Sequence, residues 1–128
     1  EAYRNLTHFV RERLTMWKND VRKYYNYTCQ VTGVKTNLII HHIRGFNLLF
    51  EETVDVLDFP IYDYFDQYSD DQLNIFIDKF FEIQESYNQY TCITESIHKL
   101  FHSLYGYGNN TKEQWDDFLI KYQTKQIA

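Results

Sequence analysis

The sequence is short of the residues that mark several special classes of chain. It has two cysteines, Cys29 and Cys92, among 128 residues. With no secretory signal visible, two cysteines do not suggest a disulfide scaffold, and both read as small buried hydrophobes. One proline, Pro60, and four glycines leave no segment of low complexity, and no internal repeat or second domain is visible. No apolar run approaches the length of a membrane span. Cations are outnumbered, 13 Lys and Arg against 18 Asp and Glu, for a formal charge of −5, which speaks against a simple DNA binder. Residue 1 is Glu and not Met, as expected of a segment cut from a longer protein or of a chain trimmed at its start.

What is abundant is aromatic. The chain has 12 Tyr and 10 Phe, which suits a packed domain and not a disordered tail. Its length fits one domain, residues 1–128, and burying roughly two thirds of the surface that the unfolded chain exposes allows a self-sufficient core. The charge is unevenly spread. Residues 1–44 hold eight Lys and Arg against Glu1, Glu12 and Asp20, a balance of +5, whereas residues 45–90 hold eleven acids against Lys79 alone, a balance of −10. Exposed charges are screened beyond roughly 8 Å in physiological salt, so the basic first third can face phosphates while the acidic middle, a solvated face, points elsewhere.

The spacing of Leu6, Phe9, Val10, Leu14, Trp17 and Val21 predicts a helix over about residues 3–23 with a basic polar side. Tyr27–Val31 and Leu38–Ile43 are β-prone around the turn Thr32–Asn37 and predict a hairpin with a long loop. Helices are expected over 47–57 and 70–86, the second capped by Ser69 or Asp70, with Pro60 in the connection between them. A short strand is expected over Tyr90–Ile93, then a helix from Thr94 to Tyr105 stopped by Gly106. The capping box Thr111–Gln114 starts a last helix bearing Trp115, Phe118, Leu119 and Tyr122. The fold class is therefore α+β, mostly helical. Trp17, Phe46, Phe50, Phe59, Tyr62, Tyr64, Phe65, Tyr68, Phe101 and Trp115 are expected in cores and not as base-stacking platforms.

The chemistry lies in the histidines. His98 and His102 are four apart in an expected helix, so both imidazoles share a face and can hold one cation. Such pairs also occur on plain amphipathic helices. His41 and His42 end an expected strand, where successive side chains point to opposite faces. One can then face a metal while its neighbour stays free, which a general base requires, because a metal-bound imidazole cannot take a proton. Each pair alone has an ordinary explanation, and the two together carry the argument. His8 has no such companion and is expected to be structural or solvated.

Cys29-Gln30-Val31-Thr32-Gly33 followed by Leu38-Ile39-Ile40-His41-His42-Ile43 resembles the first half of the His-Asn-His (HNH, ββα-metal) nuclease motif. Ile97-His98-Lys99-Leu100-Phe101-His102-Ser103-Leu104-Tyr105-Gly106, running on to Asn109-Asn110-Thr111, resembles its second half as found in phage-borne and intron-borne members. The resemblance spans about residues 14–120. It implies that His42 activates water, that His41, His98 and His102 hold one divalent cation, and that a middle Asn ties the base-bearing loop in place. Asn88 is the first candidate for that Asn, with Asn109 and Asn110 also available. Arg44, close behind the His pair, is the candidate phosphate clamp, with a free surface arginine as the alternative. Many relatives add two Cys-x-x-Cys pairs around a structural zinc. Here Thr32 and Glu95 stand where the second cysteines would be, so no structural zinc is expected, and Cys29 and Cys92 should lie near each other in a packed knuckle. The segment 44–87 is longer than the family's loop and reads as a helical insertion.

The implied activity is hydrolysis of phosphodiester bonds in double-stranded DNA with Mg²⁺, Mn²⁺, Zn²⁺ or Ni²⁺, leaving 5′-phosphate and 3′-hydroxyl ends. Family members of this kind are phage or homing endonucleases, and a restriction role is the alternative. The expected compartment is the cytoplasm of a bacterial host. Two rivals stand beside this: a nucleic-acid-binding module that keeps the fold without turnover, and a protein-interaction domain working through the acidic, aromatic segment 45–90.

Overall fold

A computed structural model describes residues 2–127. Among these, α1 spans Ala2–Tyr24, β1 Leu38–His42, α2 Phe46–Leu57, α3 Asp70–Tyr87, β2 Tyr90–Thr94, α4 Glu95–Tyr105 and α5 Lys112–Gln123. The fold is α+β and mostly helical. No helix among the described residues is long and apolar enough to cross a membrane.

The helices begin and end where local chemistry directs. Ser69 accepts from the Gln72 amide and Gln72 Oε1 accepts from the Ser69 amide, a reciprocal cap that starts α3. Thr111 and Gln114 do the same for α5. Thr94 accepts from the Ile97 amide at the start of α4, and Gly106 ends that helix with φ +77°, a region that glycine enters without a Cβ penalty. Asn88 ends α3 in the left-handed conformation.

The expected hairpin does not form. Positive φ at Asn26 and Tyr27, then at Gly33, folds residues 27–34 into a knuckle and not a strand. The Cys29 amide donates to Val34 O, Gly33 N to Cys29 O, and Gln30 N to Cys92 O, so the knuckle docks on β2. Cys29 and Cys92 are therefore neighbours, both buried free thiols, and Cys29 Sγ accepts from the Thr32 amide at 3.4 Å. The partner of β1 is β2, antiparallel, in the register Ile39↔Ile93, His41↔Thr91 and His42↔Tyr90. The whole segment 43–89 separates the two paired strands, and α4 follows the second directly.

Two large apolar cores result among the described residues, beside a smaller cluster of Val21, Ile40 and Cys92. Leu6, Val10 and Leu14 of α1 pack with Leu49, Phe50, Phe76 and Phe80 of α2 and α3, so the insertion is anchored on the first half of α1. Cys29, Ile93, Ile97, Phe101, Trp115 and Phe118 form the other core beneath the sheet. Most of the aromatics expected inside are inside. Tyr64 is not: it lies in the loop before α3 and is 71% exposed. Of the eleven acids between residues 45 and 90, all but Glu52 are exposed.

Candidate metal centre and its groove

Strand alternation splits the His41–His42 pair. His41 points toward α4 and α5, 2% exposed, with Phe101 and Trp115 ring centroids at 4.8 and 4.9 Å. On α4 the four-residue spacing places His98 and His102 on one face, their Nε2 atoms 2.9 Å apart. One ligand nitrogen from each of His41, His98 and His102 lies within 4.8 Å of the others. Nitrogens at about 2.0–2.1 Å from one tetrahedral ion sit about 3.4 Å from each other, so side-chain motion on the order of an ångström would close the set.

Two observations give this cluster chemical direction. His41 Nε2 is buried and has no hydrogen-bond partner, a state costing roughly 1–3 kcal/mol unless another group supplies the contact. His102 Nδ1 lies 2.8 Å from the Gly106 carbonyl. A carbonyl only accepts, so Nδ1 carries the proton and Nε2 keeps its lone pair, the tautomer of a metal-ligating histidine oriented by a carbonyl. Burial pushes His41 down to about 3 and His98 down to about 4, with neighbouring histidines adding to the effect. Both rings are thus neutral at physiological pH, as ligands must be.

His42 points the other way, against α1 and α3. Its ring stacks on Trp17 at 5.5 Å and 18°. Its Nε2 lies 2.7 Å from Gln84 Oε1, which makes Nε2 the donor and leaves the lone pair on Nδ1. That Nδ1 finds no hydrogen-bond partner among the described residues. Burial lowers the His42 pKa to about 4, partly countered by the Gln84 bond, with Lys18 and Arg11 lowering it further. The imidazole is therefore in its base form at neutral pH.

All four histidines nevertheless line one groove of about 610 Å³, with Arg11, Lys18 and Arg22 of α1 along one side and Tyr107, Gly108 and Asn110 at one end. Glu95 is the one carboxylate on its wall. Tyr107, 76% exposed, stacks on His102 with centroids 4.1 Å apart.

Two expected site residues lie elsewhere. Arg44 does not line the groove. Its Nη2 donates to Glu52 Oε1 at 3.1 Å and its guanidinium covers the Tyr87 ring at 4.3 Å, so it braces the insertion against the end of β1. Asn88 is exposed, and its signal in the sequence is that of a left-handed helix terminator. No hydrogen bond holding His42 comes from it. Asn110 instead ties the loops together. It is 3% exposed, its carbonyl accepts from the Gly45 amide just after β1, and its Nδ2 donates to the same Gly106 carbonyl that orients His102. His8 is exposed and pairs with Glu12.

The residues that sequence reasoning passed over are Gln84, Lys18 and Tyr107. Gln84 falls four residues after Phe80 and three before Tyr87, a polar side chain on an otherwise apolar helical stripe. Arg11, Lys18 and Arg22 recur at seven and four residues, which aligns them on one face. Tyr107 has no signal beyond its place in a loop. Compared with protein-family models, curated proteins and solved structures, the chain matches none.

Proposed function

We propose that this chain is a metal-dependent endonuclease of the HNH type that hydrolyses DNA phosphodiester bonds. One observation carries the reading: two histidine pairs, far apart in sequence, converge on one groove so that three imidazoles gather while the fourth stands apart with a free nitrogen. The order of two antiparallel strands and then a helix, β1, β2 and α4, supports the HNH assignment. The orphaned His41 Nε2 and the Gly106-oriented His102 support a cation held by His41, His98 and His102, and three neutral imidazoles suit a borderline ion such as Zn²⁺ or Ni²⁺. When bound, the ion would supply Lewis-acid stabilisation of charge developing on the phosphate and the departing 3′ oxygen.

The chain's own part is proton handling and positioning. His42 Nδ1 takes a proton from the attacking water as the new O–P bond forms on the phosphate. The P–O3′ bond breaks, and the 3′ oxygen is protonated from solvent. Gln84 keeps the Nε2–H bonded throughout, so the imidazolium that forms has a buried acceptor in place. An approaching phosphate anion raises the depressed pKa of His42 back toward its ordinary range. Asn110 fits the role of the loop-tying Asn better than Asn88, because it joins the segment after β1 to the turn after α4.

The test is nicking of supercoiled plasmid with Mg²⁺, Mn²⁺, Ni²⁺ or Zn²⁺. His42→Ala is expected to lower the rate by roughly 10²–10⁴-fold, and His98→Ala with His102→Ala to abolish metal-dependent cleavage. Cleavage undiminished in His42→Ala would remove the base, and no cleavage with any metal would leave the binding-module reading.

A further inference from the structure

Three cations of α1 face the histidine groove, and none of them pairs with a carboxylate among the described residues. Arg11 lies over the Phe46 ring at 4.0 Å. Arg22 donates to the Leu38 carbonyl and to Asn19 Oδ1. Lys18, half-buried, has no hydrogen bond or ion pair among the described residues. Four lysines elsewhere are paired: Lys79 with Glu82, Lys99 with Glu95, Lys112 with Asp116 and Lys121 with Asp117. None of the acids of residues 45–90 lines the groove. In a chain of net charge −5, the one carboxylate on the groove, Glu95, is already paired with Lys99, which leaves the compensating charge for the three cations to come from outside the protein.

The arrangement also limits what that anion is. Seven and then four residues on a helix rise by about 10 and 6 Å, and the three positions stay within roughly 20° of one line. A single phosphate does not span about 16 Å, whereas a polymer of phosphates does. Lys18 lines the groove together with His42 and His98, and its charge is felt by both imidazoles. Burial and the charges of Arg11 and Arg22 already weigh against that ammonium, and an anion in the groove relieves both.

We infer that Arg11, Lys18 and Arg22 form the track that seats one DNA strand by its phosphates, with Lys18 at the phosphate to be cut. Lys18 thus fills the clamp position for which Arg44 is already engaged. The inference rests on the nuclease reading for the identity of the polyanion, but its test does not require turnover.

Binding of the full chain to a fluorescently labelled DNA duplex is followed by anisotropy in EDTA over a range of salt. Three phosphate contacts give a slope of log Kobs against log salt of about −3. Lys18→Met and Arg22→Met, each keeping an apolar stem, are expected to reduce that slope by about 1 and to weaken binding on the order of ten-fold at 0.1 M salt. Arg13→Met, on the same helix but outside the groove, should change neither, with circular dichroism confirming that each variant is helical. Because Arg11 also packs on Phe46, Lys18→Met, which has no protein partner to lose, carries the decision, with Lys18→Gln as the second variant. Slopes and affinities unchanged in both Lys18 variants, or reduced equally in Arg13→Met, would overturn the track. Plasmid nicking that persists beside unchanged binding in these variants removes the track and spares the nuclease. Binding lost in the Lys18 variants from a chain that cleaves nothing does the reverse.

Discussion

At the scale of single residues, the side chain that most shapes the proposed chemistry is Gln84. It is 1% exposed, and its Oε1 accepts the His42 Nε2 proton at 2.7 Å. Gln84→Leu leaves that N–H without an acceptor, so the ring loses its tautomer preference. Nicking is expected to fall about ten-fold or more in kcat, since the cost is a mis-set base. Nitrogen NMR of His42 reads the tautomer directly, and an unchanged Nδ1 lone pair in Gln84→Leu would show the bond to be incidental. His41 makes a different prediction. Its folded pKa is near 3, below the ordinary 6.5 of an unfolded chain. The unfolded state therefore binds the proton first, so metal-free stability is complete above pH 6.5 and declines as pH falls toward 3. At pH 5 this one residue removes about 2 kcal/mol, to be seen as a lower denaturant midpoint at pH 5 than at pH 7.5, a difference that His41→Phe should shrink.

At the scale of elements, the groove depends on how the end of β1 meets the turn after α4. Gly45 has an ordinary φ of −57°, so its backbone needs no glycine. Space does: a Cβ there would sit 2.9 Å from the Asn110 backbone nitrogen. Gly45→Ala must push the 106–110 loop away, and with it the Gly106 carbonyl that orients His102. Expected are a stability loss of about 1–3 kcal/mol and weaker metal binding by calorimetry, and wild-type values for both would show that the two loops move apart freely. The same junction marks the limits of sequence reading at this scale. The Thr111–Gln114 capping box, the start of α3 at Ser69 or Asp70 and the Gly106 stop were legible because they depend on neighbours within four residues. The hairpin was misread because β-propensity in Tyr27–Val31 says nothing about which strand will pair, and the left-handed Asn26 and Tyr27 turned that segment aside.

At the scale of the whole molecule, α1 is shared by both halves of the architecture. Its first half buries Leu6, Val10 and Leu14 against the insertion, and its second half sets Trp17 on His42 and Lys18 in the groove. A cation held by His41 of β1 and by His98 and His102 of α4 would staple the sheet to the helix. Zn²⁺ or Ni²⁺ at a hundred times its dissociation constant is then expected to stabilise the fold by about 2.7 kcal/mol, read as a rise in melting temperature that EDTA reverses and that His98→Ala with His102→Ala eliminates. A melting temperature indifferent to every divalent ion would remove the centre.

The sequence by itself determined what depends on short range: helix periods, caps, the insertion's helices and the two histidine pairs, each placed on its own element by a repeat of two or of about 3.6 residues. It also supplied the alternation that sends His41 and His42 to opposite faces. Only the tertiary structure decided who meets whom. It paired β1 with β2 across the insertion, brought His41 to His98 and His102, gave His42 to Gln84 in place of Asn88, and spent Arg44 on Glu52. The physical reason is that local preferences act through bonds within a turn or two. Partners distant in the chain are selected by burying apolar faces together, and that selection exists only once the cores have formed.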